Sequence, residues 1–336
     1  MSTDYRVRGS DDSLVDAEVA ADPDSPFADE PEKRESSVGD TMHGARLDKV
    51  LVSFVPEFSR SYLQTLIDAG HVTVDGRVAT SASRKVLVGQ RIVVELVPTA
   101  ESQAFRPEPV PLSIVFEDEH LLVLDKAAGV VVHPAAGNWS GTILNGLLAH
   151  HRVAATLARA GIVHRLDKDT SGLMVVGKTL QAVTALVREI GARHVHREYL
   201  AIAHGIPRSD RMRIDAPIGR DPQSRVRMAV VASGKPARTD VEVVRRGGAY
   251  SGLRCTLHTG RTHQIRVHLA SKGHPLVGDT VYSGSSALGM QRQALHAAKL
   301  AFQHPLLNTP LSFAAEPPAD FAAAWQQIDN PTQRNA

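Results

Sequence analysis

Three prolines at alternate positions, Pro107, Pro109 and Pro111, end a stretch from Pro98 that is rich in Pro, Glu, Ser and Thr. Proline lacks an amide donor and fixes φ, so neither a helix interior nor a central strand absorbs such a run. Residues 99–112 therefore read as an extended linker, and the chain on either side must bury a core of its own. At 336 residues there is length for two domains, and 43% hydrophobic content can fill both. No apolar run is long enough to span a bilayer, and the acidic start suits neither a signal nor a transit peptide. A soluble cytoplasmic protein with no membrane partner is expected. The single cysteine, Cys255, cannot form an intrachain disulfide; alternating with Leu253 and Leu257, it reads as core filler.

Charge divides the chain a second time. Residues 1–42 hold 12 acidic and 4 basic residues, a balance of −8, whereas the remaining 294 hold 34 basic and 24 acidic, a balance of +10. The arm, rich in Asp, Ser, Pro and Ala, has little to bury and reads as disordered. It either screens the basic body or is inert. A basic body suits a polyanion ligand, although excess arginine on a soluble surface is common.

Between the arm and the linker, Leu47, Val50, Leu51 and Phe54 follow helical spacing. Ser59-Arg60-Ser61 can cap a second helix carrying Leu63, Leu66 and Ile67, stopped by Gly70. Asp75-Gly76 then signals a hairpin, and Val86 to Leu96 supplies further strand, turned at Gly89. Arg46, Lys49, Arg60, Arg77, Lys85 and Arg91 make the unit basic, and the start of its second helix can hold a phosphate. With Arg46-Leu47-Asp48-Lys49, Ser59-Arg60-Ser61 and Val74-Asp75-Gly76 in this order, residues 45–98 resemble the S4 domain, a small RNA-binding module. The resemblance implies RNA contacts from Arg46, Lys49 and Arg60. The plainer alternative is a structural cap domain.

Beyond the linker, 113–330 reads as a second domain. Leu121 to Lys126 is a buried strand; Ala128 to Pro134 reads as turn, strand and break; Thr142 to Ala149 is a short helix. Leu180, Val183, Val187 and Ile190 mark a clearer helix. Strands are expected at Arg197 to His204, Asp240 to Arg245, Gly252 to His258 and Leu295 to Phe302. Because strands outnumber helices and do not alternate strictly with them, the fold class is α+β with a largely antiparallel sheet.

The run GIVHRLDKDTSG, residues 161–172, concentrates chemistry, reading as ionisable residues set between a short apolar strand and a Gly-ended turn. Arg165 and Lys168 favour the charged form of Asp167, which can then serve as nucleophile or charge stabiliser. A helix cap or a surface salt bridge is the plainer reading. Asp169 is not taken as a second catalytic acid. Three other segments stand out: Arg197-Glu198-Tyr199-Leu200-Ala201, GRTHQIRVH at 260–268, and Asp125-Lys126 with Gly129 and His133-Pro134.

These four segments in this order, behind an S4-like module, resemble the pseudouridine synthases of large-subunit (23S) ribosomal RNA, the D-type subgroup most closely. The resemblance implies isomerisation of uridine within RNA: the N1–C1′ bond breaks, the base turns over, and C5 bonds to C1′. Asp167 matches the catalytic aspartate, either attacking C1′ or assisting departure of the uracil. Tyr199 matches the tyrosine that packs on the base, and its plainer reading is a core aromatic. Arg266 matches the cation that pairs with the aspartate, with Arg261 the second choice. Arg165 matches a wedge for the space vacated by a flipped base, or else a phosphate contact. His164, His263 and His268 are read as hydrogen-bonding or RNA-facing residues, since His263 and His268 are five apart rather than on one helix face. No metal or organic cofactor is implied. The partner implied is large-subunit ribosomal RNA, with the helix 69 hairpin as target, or a pre-ribosomal particle; a monomer is expected. Two rivals remain: an RNA-binding assembly factor that no longer reacts, and a metal-dependent nuclease.

Overall fold

The computed structural model describes residues 3–6, 32–97, 104–135, 137–224 and 227–328. It divides into two compact units, 12–104 and 105–336, the second joined by residues 1–11.

Strand β1 is Thr3–Arg6 and β2 is Glu32–Ser37. In the smaller unit α1, Leu47–Phe54, and α2, Arg60–Asp68, bury Leu47, Val50, Leu51, Leu63, Leu66 and Ile67. Their three-to-four spacing puts them on one face of each helix. The Ser59 hydroxyl caps α2, accepting the Tyr62 amide at 3.3 Å. Asp75 and Gly76, with φ of 52° and 75°, turn β3, Val72–Val74, into β4, Arg77–Val78. Strand β5, Arg91–Leu96, completes a sheet ordered β2-β5-β3-β4.

Here the expectation of a disordered arm over 1–42 does not hold at residues 3–6 and 32–42. Glu32 to Ser37 pairs antiparallel with β5 from Leu96 to Arg91, and Val38 behind it is buried in the unit's core. The backbone ladder makes this strand, so its charged side chains gave no warning. Residues 7–31 lie outside the described residues.

The larger unit is built on a ten-stranded sheet. Its elements follow as β6 Ile114–Glu117, β7 Leu121–Lys126, α3 Ile143–His150, β8 Ser171–Gly177, α4 Leu180–Gly191, β9 His196–His204 and β10 Arg211–Asp215. After them come a hairpin of β11 Ile218–Arg220 and β12 Met228–Val230, then β13 Arg238–Gly247, β14 Tyr250–Leu257, α5 Gln264–Ser271, β15 Leu295–Gln303, β16 Pro310–Ala314 and α6 Ala319–Gln327. The main path is β10-β13-β14-β9-β15-β8-β7-β6, with β16 on β15 and β1 on β16. Neighbours are antiparallel except at β15/β8 and β1/β16. Both faces are covered: Leu122, Leu124, Met174 and Val176 pack with α3 and α5, while Leu121, Val123, Leu173 and Val175 pack with Leu186 of α4. The α+β class with a mostly antiparallel sheet stands, and no helix among the described residues is long and apolar enough to cross a membrane.

Two strand expectations shift. The motif at 161–172 precedes its strand instead of following one: Ile162 makes an isolated bridge to Val176, and β8 starts at Ser171. Val130 to Val132 is not a strand, because the Val131 and Val132 carbonyls accept from the Ile143 and Leu144 amides at the start of α3. The parallel β8/β15 contact, only Ser171↔His296 and Gly172↔Ala297, depends on a glycine. At φ 111° a Cβ on Gly172 would stand 2.3 Å from the Ala297 carbonyl oxygen.

Candidate active site

The loop that enters β8 presents Asp167, and its backbone is tied down from below. Buried Lys126, at the end of β7, donates to the carbonyls of Ala127, Val130 and Lys168 at 2.8, 2.9 and 2.9 Å. All three ammonium donors are thereby used. Burial draws the Lys126 pKa down to about 8 against the pull of Asp169 and Asp167, so it remains charged at neutral pH. On the same loop His164 Nε2 accepts the Val175 amide at 3.0 Å. Burial, with Arg197 nearby, pushes this histidine down to about 3, so it offers no charge to a phosphate.

Asp167 is 15% exposed, and its Oδ2 accepts from Arg266 Nη1 at 3.0 Å. Arg266 belongs to α5 and is itself clamped: its Nε and Nη2 reach the two carboxylate oxygens of buried Asp279 at 2.7 and 2.8 Å. Burial would lower the Arg266 pKa, but Asp279 and then Asp167 outweigh it and raise it. The guanidinium also lies 5.1 Å from the Tyr282 ring centre. On the other side of the carboxylate, His263 Nε2 stands 3.8 Å from Asp167 Oδ1. Its Nδ1 meets the Tyr282 hydroxyl at 2.9 Å, and that hydroxyl accepts the Met228 amide at 3.0 Å. With its oxygen so occupied the hydroxyl donates to Nδ1, an assignment that leaves Nε2–H toward Asp167. Burial lowers the His263 pKa, which suits the neutral ring. His263 holds φ at 57° to begin α5, a conformation uncommon for a residue with a side chain.

Tyr199 of β9 is buried beside this group. Burial raises its pKa, and Asp167 adds to the rise, so the phenol stays protonated. Asp167, Tyr199, Arg165, Arg261, His263 and Arg266 line one narrow pit of about 50 Å³. The pit opens into a cleft of about 700 Å³ that shares Arg165, Asp167, Tyr199 and Arg261 and adds His164. A groove of about 490 Å³ at β10, β13 and β14 is roomy, but there Arg211 and Arg254 are paired with Glu242.

The sequence-predicted residues of the larger unit thus converge, with one exception. His268 is remote in role: its nitrogens contact Thr239 Oγ1 at 2.9 Å and the Ala216 carbonyl at 3.0 Å in the core. In the smaller unit Lys49 is exposed, whereas Arg46 and Arg60 both bind Asp48, at 3.0 and 2.7 Å. Asp48 is fully buried, and the Arg46 hydrogen bond, with those of Arg60 and Gln64, overcomes burial and holds its carboxyl far below the usual range. Both guanidiniums stay half exposed, fixed side by side. Asp279 and Tyr282 were not foreseen. Their one local hint is an acid set in the mostly apolar stretch Leu276 to Tyr282.

Comparison with known proteins identifies relatives of the chain. The family model for RNA pseudouridylate synthases matches residues 120–271, and that for the S4 domain matches 45–92. A Nitrosomonas europaea protein named ribosomal large subunit pseudouridine synthase D is 47% identical over 322 residues, covering 93% of each chain. Its namesake from Neisseria meningitidis serogroup B is 48% identical over 314 residues, covering 88% of this chain and 83% of the relative. Among solved structures, human RNA pseudouridylate synthase domain containing 1 aligns at a TM-score of 0.50 and 28% identity, over 63% of this chain and 85% of that one. A carboxylate held by a clamped arginine, a buried tyrosine beside it and relatives this similar over nearly the whole chain lead to one conclusion: the chain belongs to the RNA pseudouridylate synthase family.

Proposed function

We propose that the protein converts specific uridines of large-subunit ribosomal RNA to pseudouridine, with the carboxylate of Asp167 as nucleophile and the target base flipped out of its helix. The observation that carries this is the hold of Arg266 on Asp167 at 3.0 Å, with Arg266 itself fixed by Asp279. The clamp fixes one carboxylate oxygen and leaves the other for the sugar. As the N1–C1′ bond breaks, the uracil keeps the bonding electrons. Asp167 is then bonded to C1′; the uracil turns over beneath Tyr199, C5 bonds to C1′ as the Asp167–C1′ bond breaks, and the C5 proton is lost. Tyr199 lines the same pit, and its hydroxyl can relay that proton to the Asp167 carboxylate released from C1′. Extrusion of the base costs a few kcal/mol. Exposed Arg165, next but one to Asp167, is suited to stack where the base had been.

In the smaller unit Arg46, Lys49 and Arg60 form a cationic pad that adds sequence-independent affinity. The helix 69 hairpin is the proposed target. An assembly factor that binds without reacting is the alternative, and a complete set of Asp167, Tyr199 and Arg266 speaks against it. Mapping pseudouridines in ribosomal RNA from cells with and without the gene decides between them. Loss of one or a few modified positions is expected; an unchanged map refutes the activity.

A further inference from the structure

We infer that Arg197 is a substrate-binding residue that takes a backbone phosphate of the RNA at the target nucleotide. This rests on the pseudouridine synthase activity proposed above and extends it to a residue outside the Asp167 clamp. Arg197 stands two positions before Tyr199 on β9, so both side chains leave the same face of the strand. Both line the 700 Å³ cleft. Arg197 is only 5% exposed, its Nε is buried with no hydrogen-bond partner, and it has no carboxylate partner among the described residues. Two other arginines share an unpartnered buried Nε, but Arg254 reaches Glu242 at 2.8 Å and Arg227 approaches Asp221 at 3.8 Å. Arg197 brings no counter-ion of its own, so its charge is buried without compensation.

The surroundings call for an anion. Arg159, Arg165, Arg193 and Arg261 line the same cleft, whose single acid, Asp167, is engaged by Arg266. The loop opposite makes room for the guanidinium: a Cβ on Gly260 would come within 3.0 Å of Arg197 Nη1. A step of two residues along a strand is about 7 Å, the scale that separates a nucleobase from its own phosphate. With the base under Tyr199, the group reaching Arg197 is that phosphate. A neutral uracil carbonyl would leave the charge uncompensated.

The test uses the full chain and a synthetic helix 69 hairpin in which single phosphates around the target uridine are replaced by neutral methylphosphonates. Binding is followed by fluorescence anisotropy. At one position the substitution should weaken the wild type by roughly tenfold, as for one charge-assisted contact, and leave Arg197→Met unaffected. Arg197→Met should also lower the slope of log affinity against log salt by about one, with an unchanged or higher Tm because a lone buried charge is gone. Gly260→Ala, which crowds Nη1 but keeps the charge, should weaken the response at that same position. The assignment is overturned if Arg197→Met responds to every methylphosphonate as the wild type does. It is equally overturned by a Tm loss above about 5 °C with an unchanged salt slope, the mark of a structural arginine. Binding is read without turnover, so a wild type that binds this way yet makes no pseudouridine refutes the activity and not the phosphate site.

Discussion

Replacing Asp279 by Asn probes the clamp without touching the substrate side, because Asp279 is 1% exposed and makes its bonds to Arg266. The amide keeps one acceptor and turns the other into a donor facing a guanidinium N–H. One charge-assisted hydrogen bond is lost, worth about 1.5–3 kcal/mol, together with half of the negative charge around a buried cation. Breaking a buried pair outright costs about 3–5 kcal/mol; with Asp167 still present the expected destabilisation is at the low end, about 3 kcal/mol. Arg266 then turns toward Asp167. A displacement of about 1 Å at a reacting group can cost about a hundredfold, so single-turnover kcat should fall by that order while KM holds. Urea unfolding gives the first quantity and release of tritium from C5-labelled uridine the second. A stability change within about 0.5 kcal/mol with kcat reduced less than about threefold would refute the clamp.

Acid should destabilise the larger unit through its partly buried neutral histidines. His164 sits at about 3 and His133 at about 4 when folded, against 6.5 unfolded, burial being the first cause for both. The unfolded chain therefore binds these protons first, and stability is full above about pH 6.5 and falls as pH drops below it. His164 contributes at most about 1.4 kcal/mol per pH unit. His164→Gln, which keeps an acceptor for Val175, should flatten urea midpoints measured from about pH 4.5 to 6.5; an unchanged slope counts against a neutral His164. In the smaller unit, Asp48→Ala removes a buried carboxylate whose partners are half exposed, so no buried charge is stranded. The loss should be that of the hydrogen bonds, about 1.5–3 kcal/mol by urea unfolding, with weaker RNA binding as Arg46 and Arg60 come apart. Unchanged affinity would show that the two arginines need not be held together.

What could be read in the sequence follows from how local each signal is. The helices at Leu47 and Arg60 and the Asp75-Gly76 turn depend on neighbours within one or two turns of chain, and they formed where expected. Asp167, Tyr199 and Arg266 were legible as residues of three separate motifs, and folding brought them to one pit. The strand after Asp167 was misplaced because Ile162-Val163 and Leu173 to Val176 are both short apolar runs, and periodicity does not say which finds a partner strand. Glu32 to Ser37 was illegible because its pairing with β5, not its side chains, makes it a strand. Asp279 supports Arg266 from thirteen positions away, across a turn no spacing rule foresees. Arg197 has significance only through what it lacks, and a missing counter-ion is visible only after folding.

The central claim is that the Asp167 carboxylate remakes the bond between base and sugar. Its most direct test is a single-turnover tritium-release measurement on C5-labelled ribosomal RNA with Asp167→Asn, alongside the variant's RNA affinity. Tritium release should vanish while affinity stays at the wild-type level. Release at the wild-type rate from the Asn variant would contradict the claim, whatever the fate of Arg266 and Tyr199.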